Sequence, residues 1–296
     1  MTDVLSWLAD PWDRTFMRHA FLAIALVGIT CGTVGTFVVL RGYAFLGDAL
    51  AHAVFPGVVV AFLFDINVLI GAVVAALVVS LGIGAIGHHE RLTNDTAIGV
   101  LFAGAFALGI VLISARPSYT RDLSSFLFGS ILGVSTTDLW LTASVGAVVM
   151  TVVWLLRREL VALAFDRTFA EASGVRTWRV DQMFLVVLSL SIVISIQTVG
   201  NVLVLAMLVT PAATARLLTE RLAVMVGIAA GIGAGSGVVG LYVSYYRGVA
   251  SGASVVLVAT AAFALVFLFA PRTGLLSTAI ARRAHFPHPE RDQFGT

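Results

Sequence analysis

The sequence predicts an all-α polytopic membrane protein with about eight to ten transmembrane helices in one domain, and three observations carry that prediction. Hydrophobic residues make up 59% of the 296 residues and charged residues only 11%, with a mean hydropathy of +1.01. That leaves too little polar surface for a soluble domain of this length. Apolar stretches of about 20 residues, enough to span a bilayer core of roughly 30 Å, follow one another with short polar breaks. The arginines fall mostly in alternate breaks, as expected when positively charged short loops stay on the cytoplasmic side.

In chain order, residues 1–18 form an N-terminal interfacial segment in which Trp7, Trp12 and Phe16 suit the headgroup region. The segment carries acids and lacks a basic start, so it does not read as a cleavable signal peptide. A transmembrane domain over 19–271 follows, with candidate spans at 19–40, 44–64, 68–86, 97–115, 139–156, 183–197, 199–218, 223–243 and 253–270. The apolar piece at 123–134 is short enough to be re-entrant. Residues 272–296 read as a polar cytoplasmic tail, with His285 and His288 beside two prolines. The arginine distribution puts the C-terminus inside and the N-terminus outside, although Arg14 and Arg18 argue against the latter. The spacings Gly28/Gly32, Gly231/Gly235 and Gly233/Gly237 predict close helix packing. The run GIGAGSG is a packing stripe and no nucleotide loop, because no strand precedes it.

Composition also excludes functions. All 18 basic residues are arginine, so a Walker A loop with its invariant lysine is impossible and any ATP site must lie on another chain. No basic and aromatic platform supports nucleic-acid binding. The single cysteine, Cys31, rules out an intrachain disulfide. His88, His89 and Glu90 do not have the HExxH spacing of a zinc protease, and no nucleophile and base constellation suggests an enzyme.

One polar pair stands inside an apolar span. In FLGDALAHAVFPGVVVAFLF, Asp48 and His52 are four residues apart and share a helix face. At 1.5 Å per residue from Arg41, His52 lies about 16 Å deep, near the bilayer middle. A carboxylate there costs about 2.5–3.5 kcal/mol on insertion scales, so such groups usually face a bundle interior or an aqueous path. Asp65, Asp138 and Asp181 lie at span ends, where solvation is expected. Carboxylate plus neutral imidazole suits Mn²⁺, Zn²⁺ or Fe²⁺. Two ligands are too few, but a symmetric dimer could converge two such pairs. The same pair fits a proton relay in a proton-coupled secondary transporter. It also fits a purely structural role, with Asp48 capping a helix start after Gly47 and His52 bonding a neighbouring helix. Pro56, one turn after His52, should kink the span.

Further polar positions attract weaker readings. Asp166 can cap a short helix that Gly174 ends, leaving Phe169 and Ala170 available to dock in a groove. Gln197 and Asn201 flank Gly200 at the outward end of a helical hairpin, where they could line an entrance. Thr210 and Pro211 should break a helix and free carbonyls along a pathway.

The stretch VVLRGYAFLGDALAHAVFPGVVVAFLF resembles the signature of the ABC-3 type metal permeases, the membrane subunits of bacterial zinc, manganese and iron importers. The likeness continues in order through DTAIGVLFAGAFALGIVLIS, LSSFLFGSILGVSTTDL, LVALAFDRTFAEASGV and QTVGNVLVLAMLVTPAATARLL, from about residue 21 to 271. The resemblance implies an ABC-importer permease bundle in the bacterial cytoplasmic membrane, in which Asp48 and His52 coordinate the transported metal. It implies a second permease copy, in a homodimer or a heterodimer of related permeases, two cytosolic ATPase subunits and an extracytoplasmic metal-binding protein, with no permanently bound cofactor. It makes the polar stretch at about 160–182, with Asp166, Phe169, Ala170 and Gly174, a coupling loop that rests on the ATPase.

Overall fold

Backbone groups taken out of water must satisfy one another within the same segment, and helices do this alone. The computed structural model describes residues 9–87, 94–114 and 131–270, and among these every regular element is helical. A 3-10 turn at Asp10–Asp13 leads into α1 (Thr15–Leu40). The second predicted span is filled by two half-length helices, α2 (Ala44–Ala53) and α3 (Phe55–Leu63). Then come α4 (Val68–Ile86), α5 (Asn94–Ser114) and α6 (Thr136–Leu155). Two short helices, α7 (Arg157–Phe165) and α8 (Arg167–Ala172), occupy the polar stretch. The chain finishes with α9 (Thr177–Val199), α10 (Asn201–Leu218), α11 (Leu222–Arg247) and α12 (Ser251–Phe269). Counting α2 and α3 as one, 8 stretches among the described residues are long and apolar enough to cross a membrane, and α10 contributes a shorter apolar helix from Leu203 to Leu218. Trp7, His88, His89, Glu90, most of the 123–134 piece and the 272–296 tail lie outside the described residues.

The most enclosed helices are α1 and α9, with α11, α10 and α6 packed on α1, and α4 and α6 on α9. Glycine sets the crossing of α1 with α11. A Cβ on Gly28 would lie 2.6 Å from the Ala234 backbone nitrogen, and one on Gly32 would lie 2.6 Å from the Ala229 carbonyl oxygen. Gly233 meets the Gly28 backbone in return, and Gly237 meets the Ile24 side chain. Two of the three predicted glycine pairs are therefore packing positions, as small-residue interfaces between membrane helices require. Gly231/Gly235 is not: nothing lies within 4 Å of a Cβ built at either. The helix turns these two residues away from α1. The outer helices show apolar side chains such as Ile70, Val100, Trp140 and Leu257, the surface a lipid-facing helix presents.

Two prolines act differently. Pro56 sits in the first turn of α3, where it lacks the N–H that would bond the His52 carbonyl, and the span breaks at Val54. Pro211 likewise leaves the Met207 carbonyl without its donor, but α10 runs through it unbroken, against the sequence expectation. Pro211 and its neighbours Met207, Leu208 and Ala212 are all buried, so packing holds the helix on course where propensity alone would end it.

Between α1 and α2 the chain turns at Arg41–Tyr43. Gly42 takes φ +72°, its N–H bonds the Val39 carbonyl, and the Tyr43 N–H bonds the Val38 carbonyl. This is a Schellman ending, which calls for a left-handed residue that glycine adopts without strain. At the other end of α1, Trp12 stacks on Phe21 at 4.9 Å and donates its indole N–H to the Tyr242 hydroxyl at 2.8 Å. Arg14 donates to the Tyr245 hydroxyl at 3.0 Å. The N-terminal segment is thereby tied to α11, with Trp12 and Phe16 still partly exposed.

Candidate functional site

α2 begins at Ala44, so Asp48 stands in its second turn and caps nothing; the capping role considered for it is excluded. His52 lies one turn further on, and its Nε2 is 3.6 Å from Asp48 Oδ1. Both side chains keep an open side, 29% exposed for His52 and 35% for Asp48. Here the pair can meet an ion without unfolding anything.

A third polar group comes from across the bundle. Asn201 Nδ2 lies 3.3 Å from His52 Nδ1 and 3.5 Å from Nε2. Gly200 makes this possible: at φ 85°, ψ 162° it joins α9 to α10 in a conformation essentially reserved for glycine. That single-residue joint puts Asn201 at the start of α10, 5% exposed and facing the imidazole. Rotating its amide would present oxygen where nitrogen now stands, giving a carboxylate oxygen, an imidazole nitrogen and an amide oxygen in one place.

The remaining wall is aromatic. Phe102 and Phe106 of α5 approach the His52 ring with centroids 5.9 and 5.8 Å away, and Phe55 packs on Phe106 at 5.8 Å. These rings hold the imidazole on one side and leave Asp48, His52 and Asn201 as the polar side. No cluster of three or more His, Cys, Asp or Glu side chains able to hold a metal occurs among the described residues. A single copy therefore brings together one carboxylate, one imidazole and one amide.

The other sequence-predicted positions separate. Gln197 donates to Asp138 Oδ1 at 3.4 Å, near the end of the bundle where Asn201 sits. Asp138 is no simply solvated span end, since its other oxygen closes a capping box with Ser135. Thr198, beside Gln197, shares a buried hydroxyl contact of 3.0 Å with Thr142. Thr210 accepts from the Thr214 hydroxyl through its carbonyl at 2.7 Å, and no hydrogen bond joins Thr210 or Pro211 to Asp48 or His52.

In the polar stretch, Asp166 Oδ1 accepts the Phe169 N–H at 2.9 Å and caps α8. Gly174, at φ +83°, ends it with a second Schellman turn, the Val175 N–H reaching the Ala170 carbonyl. Phe169 is 67% exposed, whereas Ala170 is fully buried against its own chain. Only the phenylalanine of that pair is free to dock elsewhere.

Sequence reasoning missed Asp181. It is not solvated by water or headgroups: it pairs with Arg41 and also with Arg167, the latter at 2.9 Å, and is 18% exposed. The signal was present as an acid opposite two arginines, but the partners lie 140 positions apart in one case.

Against known proteins, residues 13–270 match the ABC 3 transport family. The chain is 46% identical over 277 residues to the manganese transport system membrane protein MntC of Halalkalibacterium halodurans, covering 94% of this chain and 95% of that one. It is 35% identical to the chelated iron transport system membrane protein YfeC of Yersinia pestis, covering 97% of each chain. Among solved structures it resembles PsaBC from Streptococcus pneumoniae in complex with Fab, with a TM-score of 0.81 and 36% identity over 93% of this chain and 99% of that one.

Proposed function

The chain belongs to the ABC 3 transport family, and from that premise we propose that this permease subunit of an ABC metal importer carries divalent manganese inward by alternating access. The observation that carries the reading is the Asp48, His52 and Asn201 cluster inside the second span, half-buried and open on one side. Two oxygens and one imidazole form a donor set that Mn²⁺, Fe²⁺ and Zn²⁺ all accept. The relatives named for manganese or iron transport favour the first two. An incomplete set in one copy suits a carrier, because the ion must leave as readily as it enters. We place a second copy opposite the open side, so that a homodimer completes the coordination.

Since the chain has no lysine, ATP is hydrolysed on separate cytosolic subunits, and α8 with its exposed Phe169 is the surface offered to them. An extracytoplasmic binding protein delivers the ion at the opposite end. The family match does not favour the other use of the pair, a proton relay in a secondary transporter.

The test is metal uptake in vesicles holding the permease co-produced with its ATPase, wild type against Asp48→Ala at matched expression. ATP-dependent manganese uptake that Asp48→Ala abolishes supports the reading. Uptake that survives Asp48→Ala, or that needs no ATPase and stops when the proton gradient collapses, overturns it.

A further inference from the structure

The charged cluster around Asp181 lies far from the metal-facing pair in sequence, and helix capping does not explain it. Asp181 stands in the second turn of α9 and accepts from two arginines on different elements. Arg167 opens α8, the helix proposed to rest on the ATPase. Arg41 caps the end of α1, and only Gly42 and Tyr43 separate it from α2, the helix that carries Asp48 and His52. Its side chain is 5% exposed and sandwiched by aromatics, with the guanidinium carbon 5.3 Å from the Tyr43 ring and 5.2 Å from the Phe184 ring. A cation so enclosed is held in place by its carboxylate partner and cannot drift to water. The intervening Gly42, at φ +72° with no atom within 4 Å of a Cβ, is an unobstructed joint.

We infer that Asp181 is the coupling residue of this permease, transmitting displacement of the ATPase-facing helix α8 to the Arg41–Tyr43 elbow and so to the helix bearing Asp48 and His52. The inference rests on the importer reading above. Arg167 is the input: it is 45% exposed, pairs with Asp181 and also reaches Glu171 at 3.3 Å. Glu171 in turn accepts from the Thr177 hydroxyl at 2.9 Å, which keeps α8 attached to α9 if Arg167 is altered. Arg41 is the output, because any shift of Asp181 must move the buried guanidinium or strip it of its counter-charge. A pair formed only to stabilise the fold would not need to bridge an ATPase-facing helix and the elbow before the metal helix.

Removing Asp181 would strand a buried charge and confuse folding with coupling. The decisive variant is Arg167→Gln in the intact permease and ATPase complex, in vesicles whose wild-type form carries out ATP-dependent manganese uptake. That condition separates the two readings: if the wild type does not transport, the importer reading fails before this one is measured. Metal uptake and ATP hydrolysis are read in the same vesicles, with copurified ATPase confirming assembly. The expected result is a fall of up to about five-fold in ions moved per ATP, the loss of one part-exposed ion pair, with hydrolysis and assembly kept. Arg167→Lys, which retains the charge, should recover most of the ratio. An unchanged ratio, or parallel losses of uptake and hydrolysis that lysine does not rescue, overturns the inference.

Discussion

The contact between Asn201 and His52 can be tested by removing it. Asn201→Ala deletes the amide and leaves α10 intact, since alanine is a good helix former and Gly200 makes the turn. The separations of 3.3 and 3.5 Å to the two ring nitrogens lie beyond the usual range for such bonds, so one weak interaction is at stake. A typical net hydrogen bond contributes about 0.5–1.5 kcal/mol, and a long one belongs at the lower end, about 0.5–1 kcal/mol. An amide oxygen turned to the ion contributes about as much as such a bond, so manganese affinity of the purified permease should fall about two- to five-fold. Competition with a metal-sensitive dye measures this directly, and initial uptake in ATPase-containing vesicles should fall in step. The companion Asn201→Asp adds a second carboxylate beside the imidazole, so binding should tighten while uptake slows, because a tighter cage releases its ion poorly. Unchanged affinity in Asn201→Ala would refute the argument that this amide belongs to the site. So would an Asn201→Asp variant that bound no more tightly.

Gly28→Ala should destabilise the permease by about 1–3 kcal/mol, because the added methyl meets the α11 backbone, whereas Gly231→Ala should stabilise it by up to about 1 kcal/mol. Thermal melts of both variants in detergent check the pair, and shifts of the same sign would contradict the packing description. Pro56→Ala restores a donor to the His52 carbonyl and should fuse α2 with α3, slowing uptake while leaving manganese affinity near wild type. Uptake at the wild-type rate would mean that the break at Val54 plays no part in transport.

Most of the fold was legible because spanning a bilayer forces length and composition on each helix. The break in the second span was legible as well, since Pro56 removes a donor wherever it stands. Asp48 and His52 could be paired from spacing alone, a single turn apart on one face. What could not be read were the meetings between distant segments. Nothing near Asn201 points to His52, 149 positions away; only the packing of α9 and α10 brings them together. Asp181 looked like a solvated span end because a sequence does not reveal which arginines fold over it. Pro211 misled for the converse reason, as buried neighbours held α10 straight through a residue that usually ends a helix. The glycine pairs were recognised as packing devices, but which of them turned toward a neighbour depended on helix rotation.

If ions pass the His52 site as proposed, the phenyl rings of Phe102 and Phe106 bear on which of them can. An incoming cation travels inside a shell of water, and the rings themselves offer no oxygen to replace what it sheds. On the proposed reading, dehydration would have to be tolerated on that flank and compensated on the other, by Asp48, His52 and Asn201. Magnesium holds its waters most stubbornly and has little liking for imidazole. If the site carries the ion as proposed, the aromatic flank would act as a toll on hydration, turning back the hard, tightly solvated competitor and admitting softer ions of the same charge.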